Sequence, residues 1–238
     1  MIWSWSSFFE YLFSPYMLAG AWTTVWLTCV SMTMGVVLGL LACLMRMARH
    51  PVPRWSASFY VWLWRGTPLL VQLVIIYTGL PQFGIRLGVI ESALLAFSLN
   101  EGAYFAEVMR AGITSIGDGQ RDAARALGLS PLRTMQLVIL PQAARVVLPP
   151  LGNQFNGMLK TSSLASVISM EELLRHAQQL AQIEFRVLEA YSVAAMYYIA
   201  MTTAWGQVQK TIERIYDRPY ARSTQTLATQ EVGELALR

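Results

Sequence analysis

The chain has 238 residues, of which 55% are hydrophobic and only 13% charged, with a formal net charge of +4. That charged share is about half the share in an ordinary soluble domain. The balance excludes a disordered chain, a coiled coil and a polar soluble enzyme, and points to a polytopic membrane protein. Two cysteines are too few for a disulfide framework or a metal cluster.

Residues 1–16 carry Trp3, Trp5, Phe8, Phe9, Tyr11, Phe13 and Tyr16, an aromatic interfacial segment. No basic stretch precedes it, so a cleaved signal peptide is not expected. A membrane crossing needs about 20 mostly apolar residues at 1.5 Å rise each. A first span is predicted over 18–45, a stretch without charge. It holds Cys29 and Cys43, about 21 Å apart at helical rise and read as buried small side chains. Gly35 and Gly39 form a GxxxG pattern there, which favours close helix packing within the subunit. The second span is Phe59–Leu80, interrupted by Arg65 and Pro68, and the third is Ile85–Phe105, with Glu91 and Glu101 inside it. Val146–Val167 is the fourth and carries Lys160, and Ala190–Val208 is the fifth. Between these last two, Met170–Gln182 reads as an external amphipathic helix with Glu171 and Arg175 paired four residues apart.

Arginines set the orientation. Arg46, Arg49 and Arg54 follow the first span, Arg110 to Arg145 lie between the third and fourth, and Lys210 and further arginines follow the fifth. Five spans with the N-terminus outside put all of these in the cytoplasm. The positive charge is thereby a matter of topology, and no nucleic acid is needed as a partner. Arg65 then lies about six residues inside the cytoplasmic face and can snorkel to it.

The chemistry inventory is sparse. His50 and His176 fall on opposite sides of the membrane, and no Cys/His cluster has metal-ligand spacing. Gly152 and Gly157 have phosphate-loop spacing, but Lys160-Thr161 follow two residues late. No catalytic residue, metal ligand or bound cofactor is expected on this chain.

The loop from 114 to 145 is too long for a simple connector. Gly117-Asp118-Gly119 is a turn whose Asp118 is predicted to cap a short helix carrying Arg121, Asp122, Ala123, Ala124 and Arg125. Gly128 sits where a left-handed C-cap is wanted. Ser130-Pro131 restarts the helix, and Pro141, after Leu140, is predicted to end or kink it. The result is two short helices, with a small face at Ala123 and Ala124 and arginines around the edge.

These residues carry a resemblance. Asp122-Ala123-Ala124, Gly128 and Ile139-Leu140-Pro141 resemble the EAA loop of bacterial ATP-binding-cassette (ABC) importer permeases. Arg65-Gly66-Thr67-Pro68-Leu69-Leu70-Val71-Gln72, Ala103-Tyr104-Phe105-Ala106-Glu107 with Arg110, Gly119-Gln120, and Leu159-Lys160 before Ser162-Ser163-Leu164 resemble the polar amino-acid subfamily, the histidine-, glutamine- and arginine-type permeases. The likeness runs over about 17–220, leaving 221–238 as a polar tail. Asp122 stands where the family usually has Glu. Thr161-Ser162-Ser163 stand where an Asp-Thr-Ser or Asn-Thr-Ser run is common, which removes a carboxylate. The resemblance implies docking of an ATPase dimer on Arg121, Asp122, Ala123, Ala124, Arg125, Gly128, Leu140 and Pro141. It also implies a second permease subunit, alike or a sister chain. A periplasmic or lipid-anchored solute-binding protein is implied as well, with ATP and Mg²⁺ held by the ATPase.

Polar groups inside the spans are candidates for the solute path, because burying them is costly. They are Asn100 and Glu101 in the third span, and Asn153, Asn156, Lys160, Thr161 and Ser162 in the fourth. The depths of Glu101 and Lys160 differ by about 12 Å, which disfavours a direct ion pair. The expectation is an all-α inner-membrane permease, with five spans and a cytoplasmic two-helix loop. The rival readings are an ion-gradient-driven secondary transporter and a membrane-embedded enzyme.

Overall fold

A computed structural model of the chain describes residues 3–235, with side chains as far as Tyr216. Among the described residues there are helices and turns and no strand. Helix α1 (Trp5–Leu12) starts on Ser4, whose hydroxyl accepts from the Ser7 amide. Helix α2 (Pro15–Met47) starts in the same way, with Ser14 accepting from the Met17 amide and Pro15 in the first turn. Among the described residues α2 is the one unbroken helix long and apolar enough to cross a bilayer.

Helix α3 (Pro51–Gly66) and helix α4 (Leu69–Val74) make a second such segment only as a pair, bent by 106° at the interruption by Thr67-Pro68. The chain continues from α4 through a π turn (Ile75–Gly79) and a 3-10 turn (Leu80–Phe83). Helix α5 (Val89–Thr114) begins four residues later than the sequence suggested and runs nine past the predicted end at Phe105. Gly84, at φ 84°, and the extended Gly88 delay the start. Glu101 is consequently midway along α5.

Helix α6 (Asp118–Ala126) and helix α7 (Pro131–Thr134) follow, then a second π turn (Met135–Ile139) and helix α8 (Leu140–Thr161). Pro141 therefore neither ends nor breaks the helix. Its ring would clash with the carbonyl of Leu137 four residues back, and Leu137 lies inside the wide π turn. Pro81 stands in the same relation to Tyr77 in the first π turn. Beyond a 3-10 stretch (Ser162–Ile168) come helix α9 (Leu173–Glu184) and helix α10 (Val187–Leu235). The predicted polar tail continues α10 as far as Leu235, and its side chains lie outside the described residues.

Helices α2 and α5 pack most extensively and run parallel. Gly35 faces Glu101 and Gly102, Gly39 faces Phe105 and Ala106, and Cys43 clusters with Ile113. A Cβ on Gly39 would sit 2.5 Å from that of Phe105. The GxxxG pair thus works inside the subunit, as expected from the sequence. Helix α8 runs back along α5, with Val147 against Gly112, and α10 returns along α8, with Trp205 stacked on Phe155 at 3.7 Å. At one end of the bundle α9 meets the start of α2: His176 stacks on Tyr16 at 4.0 Å, and the Leu173 amide donates to Thr24 Oγ1 at 3.2 Å. The opposite end gathers the close of α2 and α5, the start of α3, and α6 with α7.

Candidate coupling and transport site

Segment 117–141 is built by short-range chemistry. Gly117, rather than Asp118, is the capping position of α6, and it offers no side-chain hydrogen bond; Asp118 is the first helical residue and pairs with Arg121 at 3.1 Å. The helix ends as predicted. Gly128 has φ 75°, its amide donates to the Arg125 carbonyl at 2.9 Å, and the Leu129 amide reaches back to Ala124 at 3.0 Å. That pair of bonds is a Schellman ending, which needs a left-handed residue at this position. Ser130 then caps α7, accepting from the Arg133 amide, with Pro131 in the first turn.

The faces of this segment differ from the sequence expectation. Ala123 is exposed, but Ala124 is buried at 3% and packs inward. A one-residue step on a helix turns about 100°, so the two alanines cannot share a contact surface. What faces outward is apolar and larger: Leu127, Leu132 and Leu137 are 81%, 67% and 65% exposed. Leu140 is also exposed, and Arg125 pairs with Asp122 at 3.0 Å, both side chains facing solvent. Through the π turn the segment is continuous with α8, so a push on α7 is delivered to a helix of the bundle.

The polar groups inside the bundle fall into separate places. Asn100 is buried; its amide donates to Gln72 Oε1 at 2.9 Å and to the Trp64 carbonyl at 3.1 Å. Gln72 Nε2 donates to the same carbonyl at 2.8 Å and to the Thr67 carbonyl at 3.1 Å. Pro68 lacks the N–H that would have met Trp64 O, so the two amides satisfy a carbonyl freed by the bend. Glu101 is buried at 7% with Oε2 lacking a hydrogen-bond partner, and Asn156 Oδ1 is likewise buried and unpartnered. Asn153 accepts from Gln209 at 3.2 Å, Thr161 donates to the Gly157 carbonyl, and Ser162 donates to the Leu159 carbonyl. Lys160 is exposed at the end of α8, and no ion pair joins it to Glu101 among the described residues.

Two further expectations need correction. Cys29 is exposed, not buried, and lines an apolar groove of about 320 Å³ between α2, α5, α8 and α10. Glu171 pairs with His176 at 3.3 Å and accepts from Gln179, not from Arg175, because α9 starts only at Leu173 and its cap is Glu172. Gln72 ends the Arg65–Gln72 stretch that carries the family resemblance, but its task at the bend is not read from the sequence. Its signal was present: a proline inside an apolar span strands a carbonyl four residues back, and a buried amide nearby is the natural donor.

Comparison with known proteins decides the family. Residues 35–216 match the binding-protein-dependent transport system inner membrane component family. The chain belongs to that family. It is 42% identical over 211 residues to the L-cystine transport system permease protein TcyB of Bacillus subtilis, covering 88% of this chain and 90% of TcyB. The probable amino-acid ABC transporter permease YckA of the same organism is 40% identical over 215 residues, covering 87% of this chain and 95% of YckA. Among solved structures, an amino acid ABC transporter crystallised with histidines superposes with a TM-score of 0.85 at 39% identity, over 90% of this chain and 99% of that one. The chain is thus a transmembrane permease subunit of an ABC importer, located in the membrane, and ATP hydrolysis belongs to a separate ATPase subunit.

Proposed function

We propose that this permease moves a polar amino acid across the inner membrane by alternating access, with five spans, the N-terminus outside and the C-terminus in the cytoplasm. The relatives' transport of cystine and other amino acids supports the substrate class. The bundle supports the topology. Helices α2, α5 and α10 descend, α3–α4 and α8 ascend, and the arginine-rich end is the one that carries α6 and α7. On this reading α6 and α7 form the cytoplasmic coupling loop and dock on an ATPase dimer that holds ATP and Mg²⁺. A solute-binding protein delivers substrate at the α9 end. A second permease, a copy of this chain or a sister subunit, completes the path.

The observation that carries the proposal is the exposure of Leu127, Leu132 and Leu137 on a segment held by a Schellman ending and a serine cap. Large apolar side chains exposed on a capped helical segment fit insertion into a partner's groove. ATP-driven movement of that groove would tilt α8 and switch access. Within the bundle, Glu101 Oε2 and Asn156 Oδ1 are acceptors without a donor, and an α-ammonium group supplies donors. Asn100, Asn153, Lys160, Thr161 and Ser162 remain candidates for the path at other depths.

The test is co-purification of the ATPase with the permease, followed by uptake in proteoliposomes. Leu127→Glu and Leu137→Glu should release the ATPase while the permease still inserts. Glu101→Gln and Asn156→Ala should lower uptake with the complex intact. Full association and uptake in the two leucine variants would remove the coupling assignment.

A further inference from the structure

We propose that the permease holds the headgroup of an anionic phospholipid in a cationic cleft between the ends of α2, α3 and α5. The inference rests on the orientation proposed above, which sets this cleft at the cytoplasmic leaflet.

Two adjoining cavities of about 410 Å³ each form the cleft. The first is lined by Arg46, Arg54, Trp55, Ser58 and Arg110. The second shares Arg46 and Ser58 with it and continues along α3 past Val61 and Trp62 to Arg65. Four guanidinium groups thus face one carboxylate. Glu107 is already engaged by three of them: Arg46 and Arg110 bond its two oxygens directly, and Arg65 lies 3.8 Å away. Arg54 has no hydrogen bond or ion pair among the described residues, and Arg110 Nε is buried without a partner. The cleft therefore keeps a formal excess of three positive charges and spare donors, the requirements for binding a phosphate diester.

The shape favours a lipid over a soluble anion. The second cavity sets Arg65 and Glu107 beside Val61 and Trp62, so the cleft is charged along its length, and the apolar surface next to it is the outward side of α3. A lipid fits with its headgroup in the cleft and its acyl chains along that outward side. Helix α3 packs chiefly on α2 and α5, which leaves Trp55, Phe59 and Trp62 as an outward stripe, 72%, 61% and 68% exposed. Exposed aromatic rings beside arginines at a helix end are an arrangement of membrane interfaces, and basic pockets between helices on this side bind acidic headgroups.

The experiment uses the whole transporter complex in a neutral detergent micelle containing equimolar phosphatidylglycerol and phosphatidylcholine, with retained lipid read by native mass spectrometry. Phosphatidylglycerol should be retained at least about fivefold over phosphatidylcholine, roughly the effect of one arginine near the surface. Arg54→Gln should lose about that factor, and Trp62→Ala should weaken retention without altering the charge preference. Inorganic phosphate at millimolar level should not displace the lipid. Equal retention of the two lipids, or unchanged retention in both variants, overturns the proposal. Displacement by inorganic phosphate would make the cleft a soluble-anion site. Lipid binding that appears only after the ATPase is stripped would assign the cleft to the ATPase. Amino-acid uptake by the same complex is measured in parallel. Normal uptake with no lipid preference sinks the lipid site alone, whereas lipid binding without uptake sinks the transport reading alone.

Discussion

Gly128 and Glu172 show two ways in which one side chain sets a local structure. A Cβ at Gly128 would meet nothing within 4 Å, so its constraint is purely conformational, at φ 75°. Gly128→Ala should cost about 1 kcal/mol of local stability, and Gly128→Asn less, because asparagine tolerates the left-handed region. Amide hydrogen exchange over α6 checks both. Gly128→Asp adds a charge on the outward surface and should also weaken ATPase association. Glu172 is fully buried at the head of α9, accepting from the Leu174 and Arg175 amides at 2.9 and 2.7 Å and from the Tyr198 hydroxyl at 3.1 Å. Burial outweighs these bonds and, with Glu171 nearby, pushes its carboxyl up to about 7. A carboxyl whose folded pKa is raised favours the fold in its protonated form. Its contribution is complete below the ordinary carboxylate range and is lost as pH rises through about 7. Thermal stability should therefore fall between pH 5 and pH 8, and Glu172→Gln should flatten that profile, with a difference on the order of 3 kcal/mol.

The bent pair α3–α4 poses a problem that a single helix does not. A break inside an apolar segment strands carbonyl groups where no water reaches them. Gln72 and Asn100, from α4 and α5, both serve the Trp64 carbonyl and bond each other. Replacing either by alanine should cost about 1–3 kcal/mol, the penalty for an under-satisfied buried group. The double variant should be less harmful than the sum, since the first change already breaks the shared network. Unfolding of Gln72→Ala, Asn100→Ala and the double variant measures the coupling. Strict additivity would mean that the two amides act separately. Asn100 entered as a path candidate, and its fixed bonds give it a structural task as well.

The whole bundle places its chemistry at two ends. One gathers α1, α9 and the aromatic N-terminal segment; the other gathers the arginines with α6 and α7. Fusions with a topology reporter at Arg49 and Ser130 should read cytoplasmic, and one at Arg175 external, if arginine bias orients the bundle. An external Ser130 would invert the proposed orientation, and with it the coupling assignment. The same two-ended layout expects the ATPase and the solute-binding protein to bind at opposite faces. Cross-linking each partner to cysteines introduced at Leu132 and at Arg175 would separate the two contacts.

Much of this architecture is written in short stretches of the sequence. A chargeless run fixes α2, because the cost of exposing it to water does not depend on what it meets. Ser130-Pro131 and Gly128 fix the coupling segment, because caps and left-handed turns are settled within a few residues. The likeness to importer permeases was legible for the same reason, carried by motifs in chain order. The partners of the buried polar groups were not. Gln72 meets Asn100 across 28 residues, and Arg46 meets Glu107 across 61. Ala124 turned inward while Ala123 stayed out, because packing against the second π turn chose between two equal side chains. Hydropathy and capping act through the local chain, whereas a buried acceptor takes whichever donor the packed helices bring to it. That choice exists only once α2, α3 and α5 lie together.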